Sequence, residues 1–212
     1  MTQLDIFGNP IPRDDEGFKE GLTKIENGEI QFYSRFFKKN EADDYLSYLK
    51  SKTIWKQESM NMYGRKVDFP RLTSWYGDND KPYSFSGITL QPHAWTNEIL
   101  DIKEKIEKLT TVNFNSVLLN MYRNGNDSIS WHTDAEKELG ENPVIASVNF
   151  GATRKFQLRH IKTKEKLEIE LSHGSVLLMQ GELQHFWQHQ VPKTSKSVSE
   201  RVNLTFRVIK NS

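Results

Sequence analysis

The spacing of apolar residues in the first half of the chain is helical. Five of them recur every three or four residues, as one face of a helix requires: Trp95, Ile99, Ile102, Ile106 and Leu109. They predict a helix over residues 95–109. A shorter pattern of the same kind predicts another helix over residues 41–52, with Asn40 as its N-cap. We expect both helices to pack one apolar face against a core.

From residue 115 onward, apolar and polar residues alternate with the period of two that β-strands show. Six such segments are separated by turn residues, and they cover residues 116–122, 144–150, 154–160, 166–171, 175–179 and 201–209. Many short strands at regular spacing are typical of a sandwich or a barrel. We therefore expect an α+β fold that is mainly β, in which N-terminal helices buttress a barrel-like body.

The beginning of the chain differs from the rest. Residues 1–28 are polar and are interrupted by several glycines and prolines, which predicts a largely irregular tail or arm. Residues 29–212 have a length and an apolar content that suit one domain. The sequence thus predicts a tail followed by a single domain.

Composition excludes several classes of protein. The 29 basic and 28 acidic residues nearly cancel, so the global charge argues neither for nor against binding to nucleic acid. The absence of cysteine excludes a thiol nucleophile, a disulfide framework and a Cys-based metal site. No segment resembles a secretory signal or reaches the ~18 apolar residues of a membrane helix. We expect a cytoplasmic monomer without a membrane partner, associated with the nucleoid if the source is bacterial.

The six histidines are the residues that suggest chemistry, because the common nucleotide, zinc-protease and serine-nucleophile motifs are missing. His132 opens an H-x-D pattern with Asp134. On a strand, residues i and i+2 point to the same face, so both side chains could bind one metal ion. The alternative is a surface histidine beside an aspartate.

Two histidines and one carboxylate are the ligand set of non-heme iron(II) oxygenases, which leaves three coordination positions open. The second histidine must then come from elsewhere in the chain. Spacing alone does not choose among four candidates, which are His160, His173, His185 and His189.

The last predicted strand carries four polar residues on one face: Arg201, Asn203, Thr205 and Arg207. Two arginines that face a barrel interior are costly to bury unless an anion pairs with them. A dicarboxylate such as 2-oxoglutarate would be such an anion, since guanidinium groups bind carboxylates with two hydrogen bonds. Asn120 and Tyr122 share a face of their own strand and could donate to the same ligand. The alternative is an open sheet with a hydrated polar face.

Eight motifs resemble those of the AlkB-type DNA repair dioxygenases. They are MYG (62–64), PRLTSWYGD (70–78), YSFSG (83–87), FNSVLLNMYRNGNDSISWHTDAEKELG (114–140), PVIASVNFGATRKFQLRH (143–160), LSHGSVLLMQG (171–181), WQHQVPK (187–193) and RVNLTFR (201–207). The resemblance covers most of the chain. It implies a double-stranded β-helix, also called a jelly roll, with Fe(II) as the metal and with 2-oxoglutarate and O2 as co-substrates.

The resemblance also assigns residues. It implies iron ligands at His132, Asp134 and His189, because WQHQVPK carries the third ligand in this family, and it leaves His185 without a metal role. The implied contacts to 2-oxoglutarate are Asn120, Tyr122, Arg201, Asn203 and Arg207.

The implied substrate contacts are Tyr63, Arg71, Tyr83, Phe85 and Glu136. Phe85 would stack on the extruded base opposite His132, and Tyr63 would fill the gap in a duplex. Core packing and a plain hairpin tip are the alternatives for these aromatic residues. DNA repair members usually read H-x-D-D-E, whereas Ala135 stands here at the fourth position, so the base preference is open.

The implied function is direct reversal of base alkylation in DNA, of the 1-methyladenine and 3-methylcytosine type. Oxidation of 2-oxoglutarate to succinate and carbon dioxide would be coupled to hydroxylation of the alkyl carbon, which then leaves as an aldehyde. One alternative is the same chemistry on RNA or another biomolecule. Another is a non-catalytic, metal-containing nucleic-acid-binding protein, against which the triad and the two arginines argue.

A separate hypothesis concerns the tail. Residues 3–7 resemble the short peptide by which bacterial DNA-processing proteins bind the replication sliding clamp, and the residues that would bind are Gln3, Leu4, Ile6 and Phe7. Three apolar anchors in a polar segment can enter a hydrophobic pocket, and tethering would raise the local concentration of enzyme on DNA. The alternative is that these side chains pack on this protein's own surface.

We expect a peptide of residues 1–12 to bind purified bacterial sliding clamp, as measured by fluorescence polarisation. The same peptide with Leu4→Ala and Phe7→Ala should lose that binding, because two apolar anchors are removed. Equal binding of the two peptides, or no binding by either, would contradict the hypothesis.

Overall fold

The computed structural model of this protein describes residues 18–62, 65–78, 83–85, 88–90 and 92–210. In these ranges the strands are β1 (Gly21–Ile25), β2 (Gly28–Tyr33), β3 (Ser59–Met62), β4 (Arg65–Asp68), β5 (Leu72–Gly77), β6 (Tyr83–Phe85), β7 (Ile88–Leu90), β8 (Ser116–Tyr122), β9 (Ile129–His132), β10 (Ile145–Gly151), β11 (Arg154–His160), β12 (Lys166–Leu171), β13 (Ser175–Gln180), β14 (Trp187–Val191) and β15 (Arg201–Arg207). The helices are α1 (Lys39–Lys52), α2 (Asn97–Glu107) and the single turn α3 (Leu183–Phe186), and a 3-10 turn covers Lys137–Leu139.

Two antiparallel sheets form the body of the molecule. The larger one, called the major sheet, has seven strands in the order β1-β2-β13-β10-β15-β8-β5. The smaller one, called the minor sheet, has four strands in the order β12-β11-β14-β9. Apart from β1–β2 and β11–β12, neighbouring strands are not consecutive in the chain, which crosses repeatedly between the two sheets, as expected of a jelly roll.

The core has two apolar layers, one on each side of the major sheet. One layer joins the major sheet to α1 and α2, and it includes Leu49, Ile102, Leu119 and Leu204. The other fills the space between the two sheets, where Leu118 of the major sheet shares a cluster with aromatic and aliphatic residues of the minor sheet. The major sheet is therefore buried on both faces, which explains why every residue of β8 and β15 is buried.

The six strands predicted from alternation are all present, with ends that differ by at most two residues from the prediction. The predicted orientation of the last strand is confirmed as well. Val202, Leu204 and Phe206 pack in the cluster with the helices, and the polar residues between them point to the other side. The expectation of helices that buttress a mainly β body is thus correct.

Both predicted helices form, but their first residues differ from the prediction. Asn40 lies inside α1 rather than at its cap, because the helix begins at Lys39, two residues earlier than predicted. Lys38 is the N-cap residue, without a side-chain cap bond. Helix α2 begins at Asn97 after Thr96, whose hydroxyl accepts a hydrogen bond from the Ile99 amide at 3.4 Å. A local capping residue therefore sets the start of α2.

The expectation of irregular structure up to residue 28 was wrong for residues 21–25, which form β1. The glycines that suggested a loop lie at the strand ends, at Gly21 and Gly28, where they do not interrupt the pairing. Asn27 closes the turn between them with a φ of 55°. Within the described ranges β1 pairs with β2 alone, and β2 itself pairs with β13, so this edge of the sheet depends on tertiary contacts that the sequence pattern does not reveal.

Arg154 is a structural residue, although it belongs to a run of basic residues between positions 154 and 166 that could suggest phosphate binding. It is buried, and its guanidinium donates hydrogen bonds to the carbonyl oxygens of Asn124, Asp127 and Pro192 at 2.6 to 3.2 Å. It therefore holds the loop after β8 against the segment after β14.

Among the described residues, no helix is long and apolar enough to span a membrane.

Candidate active site

A cluster of two histidines and one aspartate lies between the sheets, at the edge of the minor sheet. His132 is the last residue of β9 and His189 lies in β14, and the two are direct partners in the pairing of these strands. Their ring centroids are 4.2 Å apart. Asp134 follows β9 by two residues, so its carboxylate reaches the same point from the loop.

The three side chains are close enough to share one metal ion. One ligand atom from each of His132, Asp134 and His189 lies within 4.8 Å of the others. The Nε2 atoms of His132 and His189 are 3.7 and 4.0 Å from the two carboxylate oxygens of Asp134. Two imidazoles and one carboxylate are the protein ligands of a facial metal site, in which three further coordination positions are left for other ligands.

The surroundings of the three groups suit metal binding. The His132 Nδ1 atom lies 2.8 Å from the Ser130 carbonyl oxygen, which only accepts, so Nδ1 is the donor and Nε2 is the nitrogen that faces Asp134. Burial lowers the pKa of His189 to about 3, and the nearby His132 acts in the same direction. Burial alone would raise the pKa of Asp134, but the charge of Arg207, helped by the two histidines, lowers it to about 2.

Two residues hold Asp134 in place. Arg207, at the end of β15, donates from Nη2 to Asp134 Oδ2 at 2.8 Å, and both side chains are buried. The main-chain amide of Asp134 donates to the side-chain oxygen of Gln184 at 2.9 Å. The other carboxylate oxygen, Oδ1, is buried without a hydrogen-bond partner in the described part of the chain. A bound cation would satisfy an unpaired buried oxygen of this kind.

Arg201 lies at the opposite end of β15, and only 1% of its surface is exposed. Its Nη2 donates to Asn149 Oδ1 at 2.6 Å, and its Cζ lies 4.9 Å from the centre of the Tyr122 ring. Nε and Nη1 have no hydrogen-bond partner among the residues that the structure describes. Burial lowers the pKa of this guanidinium, whereas the neighbouring Tyr122 side chain acts in the opposite direction. A carboxylate would supply both the charge and the acceptors.

A hydrogen-bonded row of amides connects this arginine to the rest of the interior. Asn203 donates to Asn149 at 3.2 Å and to the hydroxyl of Ser147 at 2.9 Å, and it accepts from Asn120 at 3.5 Å. Asn120 in turn accepts from Nε of Arg71 at 2.9 Å. The polar face predicted for β8 and β15 is therefore an interior network, and the alternative of an open, hydrated sheet is excluded.

Only some of the substrate residues expected from the sequence lie in the part of the chain that the structure describes. Arg71 is buried and contacts Asn120, which is itself one of the expected 2-oxoglutarate residues. Glu136 is half-buried, with one carboxylate oxygen that lacks a hydrogen-bond partner in the described ranges. Tyr83 and Phe85 lie in the two-stranded sheet β6–β7, but their side chains are outside what the structure describes. Tyr63 also lies outside the described residues, as do the four tail residues proposed to bind the clamp.

Sequence reasoning missed Gln184, Asn149 and Ser147. The alternation in β10 could have revealed Asn149 and Ser147, because both share the inward face of a strand that pairs with β15. No sequence signal marks Gln184, which belongs to a four-residue turn.

Spacing alone could not choose the second histidine ligand among four candidates, and three of them lie away from the cluster. His185 is exposed, His160 packs against Trp187 and His173 contacts Asp43.

Comparisons with known proteins agree with this geometry. The family model described as the 2OG-Fe(II) oxygenase superfamily matches residues 29–207. Alpha-ketoglutarate-dependent dioxygenase alkB homolog 3 of Mus musculus is 40% identical in a match that covers 98% of this chain and 76% of that protein. DNA oxidative demethylase ALKBH2 of Homo sapiens is 36% identical over 188 residues, which cover 84% of this chain and 72% of that protein.

Two solved structures share the fold. The structure of OsALKBH1 has a TM-score of 0.59 at 17% identity, and the match covers 84% of this chain and 97% of that one. The prolyl hydroxylase of Trichoplax adhaerens, in complex with a peptide of hypoxia inducible factor, has a TM-score of 0.57 at 12% identity and covers 85% of this chain and 84% of that one. At such low identity these two structures support the jelly-roll fold alone.

We expect the His189→Ala variant to lose tight binding of Co(II), because the substitution removes one of three protein ligands. Isothermal titration of the purified chain would measure this. The matched control is His185→Ala, which removes an exposed histidine four positions earlier and should bind Co(II) like the unmodified chain. If His189→Ala bound Co(II) with unchanged affinity, the cluster would not be the metal site.

Proposed function

The chain belongs to the AlkB-type proteins of the 2OG-Fe(II) oxygenase superfamily, and on that basis we propose that it repairs DNA by oxidative removal of alkyl groups from damaged bases. Membership makes it an Fe(II)- and 2-oxoglutarate-dependent dioxygenase that demethylates nucleic acid. The observation that best supports the proposal is the cluster of His132, Asp134 and His189 in the same interior as the buried Arg201. The choice of DNA and the repair role are the parts that we propose.

The interior suits Fe(II). His132 and His189 would bind it through neutral Nε2 atoms, and Asp134 would bind it as a carboxylate whose Oδ1 has no other partner in the described residues. When bound, Fe(II) supplies the activation of O2 that couples oxidation of 2-oxoglutarate to oxidation of the alkyl carbon. Arg207 keeps Asp134 ionised and fixes one of its oxygens, so the carboxylate keeps a single orientation.

The same interior suits 2-oxoglutarate. We assign the distal carboxylate of 2-oxoglutarate to Arg201, because Nε and Nη1 offer two donors that lack partners within the described ranges. Tyr122 lies against this guanidinium, and Asn203 and Asn120 belong to the hydrogen-bonded row beside it. Arg207, next to Asp134, would face the end of the co-substrate that approaches the metal. The row of amides would hold these donors in fixed orientations before the co-substrate binds.

DNA as the substrate is supported by the relatives named DNA oxidative demethylase. Glu136 could accept a hydrogen bond from the exocyclic amine of an extruded base, since one of its buried oxygens has no partner among described residues. Arg71, Tyr83, Phe85 and Tyr63 remain our proposed substrate residues. With Ala135 in place of a second carboxylate, fewer acceptors are available to select a base.

We expect Arg201→Ala to raise the KM for 2-oxoglutarate by at least about tenfold, since a charge-assisted pair is worth roughly 1.5–3 kcal/mol. Arg201→Lys should keep a KM for 2-oxoglutarate close to that of Arg201→Ala, because an ammonium group does not reproduce the two-pronged geometry of the guanidinium. Succinate formation at varied 2-oxoglutarate would measure KM, and Arg35→Ala, at an exposed position, is the control. An unchanged KM in a folded Arg201→Ala enzyme would refute the assignment.

The choice of DNA is tested with one oligonucleotide sequence that carries a single 1-methyladenine or 3-methylcytosine. It is prepared as single-stranded DNA, duplex DNA and single-stranded RNA, and formaldehyde release is measured for each. We expect kcat/KM for at least one DNA form to exceed that for RNA by about tenfold, a discrimination of ~1.4 kcal/mol. Equal or greater activity on RNA would overturn the DNA assignment while leaving the dioxygenase chemistry in place.

A further inference from the structure

The three residues of the metal cluster are not held in the same way. His132 and His189 face each other as paired residues of β9 and β14, so the strand register fixes their separation. Asp134 lies beyond the end of β9, where no strand pairing reaches it. Its position therefore depends on the loop after β9 and on whatever holds that loop.

Gln184 is the residue that holds the main chain at this point. Its side chain is 1% exposed, and its oxygen accepts the hydrogen bond from the Asp134 amide at 2.9 Å. Its nitrogen lies 3.7 Å from the sulfur of Met179, at the end of β13. Both ends of the amide are engaged, so the Gln184 side chain has one orientation.

The location of Gln184 in the chain strengthens the argument. It lies in α3, the single turn that joins β13 to β14, and His189 follows five residues later. One short segment thus supplies a proposed metal ligand and also the group that fixes another ligand.

We propose that Gln184 is a positioning residue that sets the place of Asp134, and through it the affinity and the coordination geometry of the metal site. This inference rests on the proposed function, in which the cluster binds Fe(II). Arg207 fixes the carboxylate of Asp134 from β15, whereas Gln184 fixes the backbone of Asp134 from the turn between β13 and β14. Loss of a group of this kind outside the ligand set typically costs about 10–100-fold in metal affinity.

The test uses the full chain and Co(II), whose absorption bands report the geometry of its ligands. Gln184→Met keeps the length and packing of the side chain but removes the acceptor. Gln184→Glu keeps an acceptor oxygen. The matched control is Gln190→Met, in the same strand as His189, which removes only a hydrogen bond from Gln190 to Gln157 at 2.7 Å.

We expect Gln184→Met to bind Co(II) at least about tenfold more weakly and with a changed absorption spectrum. Gln184→Glu should recover most of the affinity, and Gln190→Met should match the unmodified chain. Thermal unfolding of the metal-free variants identifies the folded fraction, so that affinities are compared for folded protein only. A folded Gln184→Met with unchanged affinity and spectrum, or an equal loss in Gln184→Met and Gln184→Glu, would overturn the proposal.

The unmodified chain separates this proposal from the one on which it rests. If it did not bind Co(II), or bound it equally well after Asp134→Ala, the proposed function would fail at the metal site. If it bound Co(II) through Asp134 but Gln184→Met had no effect, only the role of Gln184 would fail.

Discussion

Charge buried between the two sheets is the constraint on which this interior depends. Asp134, Arg201 and Arg207 are all removed from water, and each would be strongly destabilising without a partner. Arg207 and Asp134 compensate each other directly. Arg201 has the oxygen of Asn149 and the side chain of Tyr122 as neighbours, but its Nε and Nη1 lack hydrogen-bond partners among the described residues. An anion bound beside Arg201 would complete the pairing of this buried cation.

The major sheet makes this interior possible because it is buried on both sides. Its outer face packs against α1 and α2 with aliphatic and aromatic residues, which supplies the hydrophobic stabilisation. The inner face can then carry the polar row from Arg71 to Arg201. Strand β15 shows how the two faces of the sheet differ, because apolar and polar residues alternate without exception from Arg201 to Arg207.

Much of this could be predicted from the sequence, because alternation and helical spacing are local signals. They identified six strands of the two sheets and both long helices. The strands that were missed, such as β1 and β14, form because of the neighbours with which they pair, and no local pattern encodes that pairing. The same limit applied to the site. The H-x-D pattern indicated His132 and Asp134, but spacing could not choose His189, because it joins His132 only through the register of β9 and β14.

The sequence reveals least about buried polar residues whose hydrogen-bond partners come from distant parts of the chain. Arg154 belongs to a basic run, yet three carbonyl oxygens use its donors. Gln184 carries no charge and belongs to no motif, yet it holds the loop that carries Asp134. The function of such residues depends on which atoms the fold brings near them.

The pairing of His132 with His189 also has a consequence for folding. The two residues are brought together only when β9 and β14 have paired, and contacts between distant parts of a chain form slowly because a large loop must close first. An ion bound by both histidines and Asp134 would thus bind the completed fold far better than the unfolded chain. By mass action, the concentration of available metal would then add to the free energy of unfolding of this protein.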